Sequence, residues 1–237
     1  MSNMITKELA LTKTIRAIKT LKIDYWVTVG TLLGIIRENR LLPWDDDIDF
    51  GVWKSEIELD KLISTFTKNG FQHVSVLQDD DAVKFVWNDI SIDISLYTES
   101  QTETFVQWSI NPSGIVLGCV LKFINAIFEY HAKTIFDRQQ QKNSSTFFKQ
   151  MIGIVSCILD KRIREKLYSF ARRKYIKIGC TYPNNIFKTK VINFNGTSVN
   201  VPIKHDEFLE RTYGINWKIP NADYIWNQDT KNLKIFN

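Results

Sequence analysis

Gly30-Thr31-Leu32-Leu33-Gly34-Ile35-Ile36-Arg37-Glu38-Asn39-Arg40-Leu41-Leu42-Pro43-Trp44-Asp45-Asp46-Asp47-Ile48-Asp49-Phe50-Gly51-Val52-Trp53 is the stretch on which the fold turns. A small-residue turn opens a short apolar helix, and four aspartates then fall within five residues. Asp45, Asp47 and Asp49 occupy alternate positions, and Ile48, Phe50 and Val52 continue as a strand. Alternate side chains of a strand share a face, about 6.7 Å apart. Carboxylates held this way repel one another unless a cation sits between them, and a hard divalent ion such as Mg²⁺ suits one or two carboxylates plus substrate phosphates. A solvated acidic turn after Pro43 is the plainer reading of the aspartates. The apolar run beyond Asp49 argues against it, because it marks a buried strand that carries charge.

Working outward, Tyr25-Val29 reads as a strand ahead of Gly30-Thr31, and Leu32-Ile36 as the helix behind it. Such a strand-to-helix turn aims backbone N–H groups at an anion. Turn, helix and D-x-D strand together form the layout of a nucleotidyltransferase-type phosphate site. Val83-Trp87 and Ile90-Tyr97 read as a hairpin turning at Asn88-Asp89. In its second strand Ile90, Ile92, Ile94 and Leu96 share one face, and Ser91, Asp93, Ser95 and Tyr97 the other. Asp93 is the one charge on that polar face, and two-metal phosphoryl sites take a further carboxylate from a neighbouring strand.

These residues resemble the signature of the LicD family: Gly30-Thr31-Leu32-Leu33-Gly34, Arg37, then Leu42-Pro43-Trp44-Asp45-Asp46-Asp47-Ile48-Asp49. That family includes bacterial phosphocholine transferases, and the fukutin-related ribitol-phosphate transferases are similar to it. Phe194-Asn195-Gly196, Val201-Pro202, Phe208-Leu209, Tyr213-Gly214 and Ile219-Pro220 resemble the family's closing pattern. The resemblance covers roughly residues 20 to 100 and 190 to 222. It implies a nucleotidyltransferase fold, a divalent metal (Mg²⁺ or Mn²⁺), and transfer of a substituted phosphate from a CDP-linked alcohol to a glycan or lipid-linked sugar. It makes Asp47 and Asp49 metal ligands, and Asp93 a third acidic residue that is either ligand or base. Gly30 and Thr31 become the donor-phosphate cradle and Arg37 a phosphate clamp. Asp45 would orient a ligand. The chain departs from the usual pattern at Glu38 and Arg40, where members commonly show a histidine and a glycine, so the donor's head group stays open.

The 237 residues, 44% apolar and 24% charged, allow a sizeable core of ordinary globular composition. We expect an α+β fold: a nucleotidyltransferase-type mixed-sheet core with flanking helices over 1–112, a helical appendage over 113–180, and a C-terminal lobe over 181–237. Along the chain we expect a helix at 4–22 and a strand at 25–29. A helix at 31–38 follows, then the aspartate strand at 47–53 and a helix capped by Ser55 with Glu58 in its capping box. Strands at 71–77 and 104–109 and helices at 115–140 and 146–178 come next, then a strand pair at 188–194 and 197–201 and a helix at 205–213. Gly114-Phe128 is apolar but too short to span a bilayer. Three dispersed cysteines without C-x-x-C spacing point to a reducing, cytoplasmic compartment, and the N-terminus reads without a signal segment.

Between 161 and 177 eight Lys or Arg stand against one Glu, interleaved with Tyr168, Phe170, Tyr175 and Ile176. A solvated helix face, contact with an anionic membrane and a pyrophosphate-bearing acceptor all fit this run. Nucleic acid is disfavoured, since no recognition motif accompanies the sequence pI of about 9.0. Two other functions stay open: nucleotidyl transfer from a triphosphate with release of pyrophosphate, and an inactive glycan- or membrane-binding module.

Overall fold

The computed structural model describes residues 2–74, 81–110, 118–121, 123–124, 154–155, 157–221, 224 and 230–236. Helix α1 (Ser2–Leu21) leads to strand β1 (Tyr25–Val27) and then to helix α2 (Val29–Leu33), which widens into a π turn over Gly34–Glu38. The expected strand at 25–29 is thus shorter, because Val29 already begins the helix, with φ 33°. Positive φ is uncommon for a β-branched residue and marks a strained corner. Strand β2 (Asp47–Trp53) follows the alternation read from the sequence.

The Ser55 capping box does not form. Lys54–Glu56 make a 3₁₀ turn, and helix α3 (Leu59–Lys68) starts behind Glu58. Strand β3 (Gln72–Val74) pairs with β4 (Ala82–Trp87), which pairs with β5 (Ile90–Glu99). Asn88 and Asp89 both have positive φ, 47° and 64°, as a tight hairpin turn of this kind requires.

Strand β6 (Thr104–Ile110) is followed by helix α4 (Lys161–Arg172) and strand β7 (Ile176–Tyr182). The helix expected to run to 178 therefore stops at Arg172, since pairing with β6 claims the next apolar residues for the sheet. Most of the helix expected at 115–140 and of the 146–160 part of the one expected at 146–178 lies outside the described residues, as does the 75–77 end of the strand expected at 71–77. Hairpin β8 (Thr189–Phe194) and β9 (Thr197–Pro202), helix α5 (His205–Tyr213) and strand β10 (Leu233–Phe236) complete the order.

The fold is α+β. Eight strands form one sheet along the path β1-β2-β5-β6-β7-β10, with β4 and β3 branching from β5. Among the described residues only β2 and β5 pair in parallel in this sheet; the other pairs are antiparallel. The boundary drawn at 180 from the sequence falls inside β7, so one sheet is shared by the aspartate strand and the C-terminal strands.

The two faces of the sheet are covered differently. Phe66 of α3 stacks on Phe85 of β4 at 4.3 Å between ring centroids. On the face that carries Asp47 and Asp49, Trp53 meets Trp26 at 5.0 Å and Phe187 at 5.6 Å, and Tyr182 stacks on Phe208 of α5 at 4.6 Å. The polar face of β5 is thus also buried, with Ser91, Ser95 and Tyr97 all under 10% exposed. A continuous aromatic cluster holds the C-terminal lobe against the acidic face, and aromatic pairs of this geometry add about 0.5–1.5 kcal/mol each beyond their burial.

Candidate active site

The aspartate strand is held against the turn that precedes it. The backbone N–H of Thr28 donates to the Asp49 carbonyl at 3.1 Å, and the Asp49 N–H donates to Thr31 Oγ1 at 2.8 Å. A further hydrogen bond from the Thr31 backbone reaches the Asp49 carboxylate. The anion that receives the head of α2 here is therefore Asp49 itself. Thr31, expected in the donor cradle, is 2% exposed and braces the acidic strand. Gly30 is half-buried beside the acids. A Cβ there would collide with the Asp45 carboxylate and lie 3.4 Å from Asp49 Oδ2.

Asp45, Asp47 and Asp49 place one carboxylate oxygen each within 4.8 Å of one another. Asp46 is exposed. Burial, then hydrogen bonding to and repulsion from Asp47, push Asp45 up to about 8, against the opposing charge of Lys7. Asp49 is raised well above the ordinary carboxylate range, first by burial and then by Asp47, Asp45 and Asp93. Such a group keeps protons at neutral pH unless a cation replaces them. The donor set is all oxygen, with no imidazole or thiol, which suits a hard ion such as Mg²⁺ or Mn²⁺ and not zinc.

Asp93 stands outside that trio. It lies opposite Asp49 in the parallel β2–β5 register and opposite Lys84 in the antiparallel β4–β5 register. Lys84 Nζ is 2.9 Å from Asp93 Oδ2, and the Ser91 hydroxyl donates to Oδ1 at 3.1 Å. Burial raises the Asp93 carboxyl and Lys84 opposes that rise, while Asp47 adds to it. The row Lys84, Asp93, Asp49 thus crosses three strands at one level.

Three groups escaped the sequence reading. Lys7 of α1, 3% exposed, donates to the Leu42 and Asp45 carbonyls and so fixes the loop that presents Asp45. A lysine on an amphipathic helix ordinarily reads as solvent-facing, so nothing local signals this. Lys84 was legible only through the hairpin register. Tyr213, quoted within the closing pattern but given no role, faces the acids: burial raises its phenol well above the usual range, and repulsion from Asp49, Tyr224, Asp45 and Asp47 adds to it.

Arg37 lies in the π turn. Its guanidinium is 2.7 Å from Glu38, and Nη1 donates to the Trp217 carbonyl at 3.3 Å. Glu38 is in turn 2.8 Å from Arg40. The two positions that depart from the family pattern are thus direct partners, and Arg37 joins them through Glu38. Buried Nε of Arg37 has no hydrogen-bond partner among the described residues. Trp44, beside Asp45, is 61% exposed.

Residues 22–136 match the family model described as LicD/FKTN/FKRP, nucleotidyltransferase domain. That stretch of the chain is thus a LicD-type domain. Two curated relatives match over short stretches. They are the uncharacterized protein RP689 of Rickettsia prowazekii (strain Madrid E), 40% identical over 50 residues, and the uncharacterized protein RT0683 of Rickettsia typhi (strain ATCC VR-144 / Wilmington), 37% over 51. Each match covers 21% of this chain, and the chain spans only 19% and 16% of the length of these relatives. Among solved structures the chain is similar to the solution structure of the antibiotic-resistance factor ANT(2″)-Ia, at 13% identity and a TM-score of 0.37, over 72% of this chain and 94% of that one. The crystal structure of ANT(2″)-Ia in complex with adenylyl-2″-tobramycin gives 13% and 0.35, over 71% and 98%.

Proposed function

We propose that the chain is a metal-dependent transferase that moves a substituted phosphate, phosphocholine or a polyol phosphate, from a CDP-linked alcohol to a sugar hydroxyl of a cell-surface glycan. The carrying observation is the trio Asp45, Asp47 and Asp49, braced by Thr31 and Lys7, in a LicD-family domain. Asp47 and Asp49, with Asp45 beside them, would hold Mg²⁺ or Mn²⁺, which when bound would offset charge on the donor diphosphate. The acceptor oxygen attacks the distal phosphorus in line, the bridging P–O bond breaks, and CMP leaves with the electron pair. Asp93, paired with Lys84 and set next to Asp49, would take the hydroxyl proton. The absence of a side chain at Gly30 leaves room for the Asp45 carboxylate in the trio, and the buried Nε of Arg37 supplies a donor for phosphate oxygens. Exposed Trp44 offers a ring for stacking on base or sugar.

In this reading the reaction runs in the cytoplasm, on glycan or lipid-linked acceptors at the inner face of a membrane. Among the described residues no helix is long and apolar enough to cross one. Phosphorus NMR tests the reading. With Mg²⁺, a sugar acceptor and CDP-choline, CDP-ribitol or CDP-glycerol, a new sugar phosphodiester and CMP are expected. Pyrophosphate and a nucleotide-linked acceptor formed from a triphosphate would overturn it in favour of nucleotidyl transfer. No turnover with either donor class would leave a binding module.

A further inference from the structure

We propose that the outward face of α4, formed by Ile163, Leu167 and Phe170 with Arg162, Lys166 and Arg173 alongside, is a docking surface for an anionic lipid membrane. The idea deepens the proposed function by naming what holds the enzyme near a lipid-linked acceptor; it rests on that reading for its purpose and on α4 alone for its physics.

Successive helix residues turn by about 100°, which sorts α4 into three strips. Tyr168 and Ala171 face inward and are 4% and 0% exposed. Ile163, Leu167 and Phe170 fall within about 60° of one another on the adjoining strip. They are 47%, 37% and 58% exposed. Arg162, Lys166 and Arg173 fall within about 40° of one another on the next strip round. All three are exposed. The apolar arc of the helix is therefore wider than the part that the described residues cover.

Single exposed apolar residues are ordinary on a protein surface, but a helical stripe edged by cations is not. It is the pattern of a helix lying in a membrane interface, with aliphatic and aromatic side chains entering the acyl boundary while long basic side chains reach headgroup phosphates. Lys174 Nζ lies 5.8 Å from the centroid of the Phe170 ring, so a cation already sits beside the apolar stripe. Ile154 and Ile158, four residues apart just upstream, are also exposed, at 60% and 76%. The 161–177 segment carries eight Lys or Arg and one Glu, which sets the sign of the partner. A polyanion such as nucleic acid would use the cations but has no need of the isoleucine and leucine.

The test is sedimentation of the full chain with vesicles, in the absence of donor and acceptor. At about 0.1 M salt it should pellet with vesicles containing half phosphatidylglycerol and stay in solution with pure phosphatidylcholine, binding less as salt rises. The triple variant Arg162→Gln, Lys166→Gln, Arg173→Gln should lose about a hundredfold in partitioning. Ile163→Ser, Leu167→Ser, Phe170→Ser should lose at least as much, about a hundredfold, through the apolar term. Both variants should melt within about 2 °C of the parent, because the replaced side chains face outward. The proposal is overturned if the parent ignores anionic vesicles, if it pellets equally with neutral ones, or if the apolar variant binds undiminished. A charge variant that loses vesicle binding while the apolar variant keeps it, with equal affinity for an oligonucleotide, would assign the strip to polyanions instead. Since no turnover is measured, failure here leaves the transferase reading untouched, and the NMR experiment leaves this one untouched.

Discussion

Asp47 and Asp49 are each half of a repulsion that a cation would relieve. Replacing either by Asn conserves shape and removes one negative charge from the trio. We expect turnover to drop by about a thousandfold, as when a metal ligand is lost. Thermal stability of the metal-free protein should hold or rise, because a buried carboxylate costs more than a buried amide. Near-native turnover in either variant would remove them from the site. Asp93→Asn should be equally inactive, yet its effect on Mg²⁺ or Mn²⁺ affinity should stay within about threefold, since Lys84 already neutralises this carboxylate at 2.9 Å. Titration calorimetry decides: an affinity loss matching that of Asp49→Asn would make Asp93 a ligand.

At the scale of elements, the turn between β1 and α2 sets where Asp45 can go. Gly30→Ala adds a methyl where the Asp45 carboxylate sits. Alanine suits a helix better than glycine by about 0.5–1 kcal/mol, so the melting temperature should hold. Cation affinity should nevertheless fall by about tenfold or more, because Asp45 must swing out of the trio. Unchanged affinity would show that Asp45 is dispensable. The same elements mark what the sequence disclosed. Strand β2 and the β4–β5 hairpin were legible because period-two alternation and the Asn88-Asp89 turn are local signals. Strand β7 was not, because Ile176–Tyr182 follows a basic helical run and owes its form to β6 and β10, partners far away in sequence. The acids were legible as a set, but their division into a trio and an ion-paired fourth depends on the cross-strand register at Lys84. Lys7 depends on where α1 packs, which no window of sequence contains.

For the molecule as a whole, the acidic site couples stability to pH. Asp45 releases its proton near pH 4 when unfolded and near 8 in the fold. Between those values the native state binds a proton that the unfolded chain does not. The stability this contributes is complete below about pH 4 and is lost as pH rises through about 8. Asp49, also raised, adds in the same direction. Melting in the presence of a chelator should therefore fall steadily from pH 5 to 8. Saturating Mg²⁺ or Mn²⁺ should flatten that slope by replacing the protons, and cation affinity should climb over the same interval. A flat profile without metal would mean that the carboxylates are already compensated by another group.

The hydrogen bond from Arg37 to the Trp217 carbonyl joins residues 180 positions apart, and Tyr213 reaches the acids from the same late segment. On a ribosome adding about 5–20 residues per second, roughly ten to forty seconds separate the emergence of the two partners. During that interval the nascent aspartate strand stands without the aromatic wall and phenol that later enclose it. The acidic strand is walled in only after Tyr182, Phe208 and Tyr213 have been made, so a chain cut short before them carries the acids without the rings that cover them.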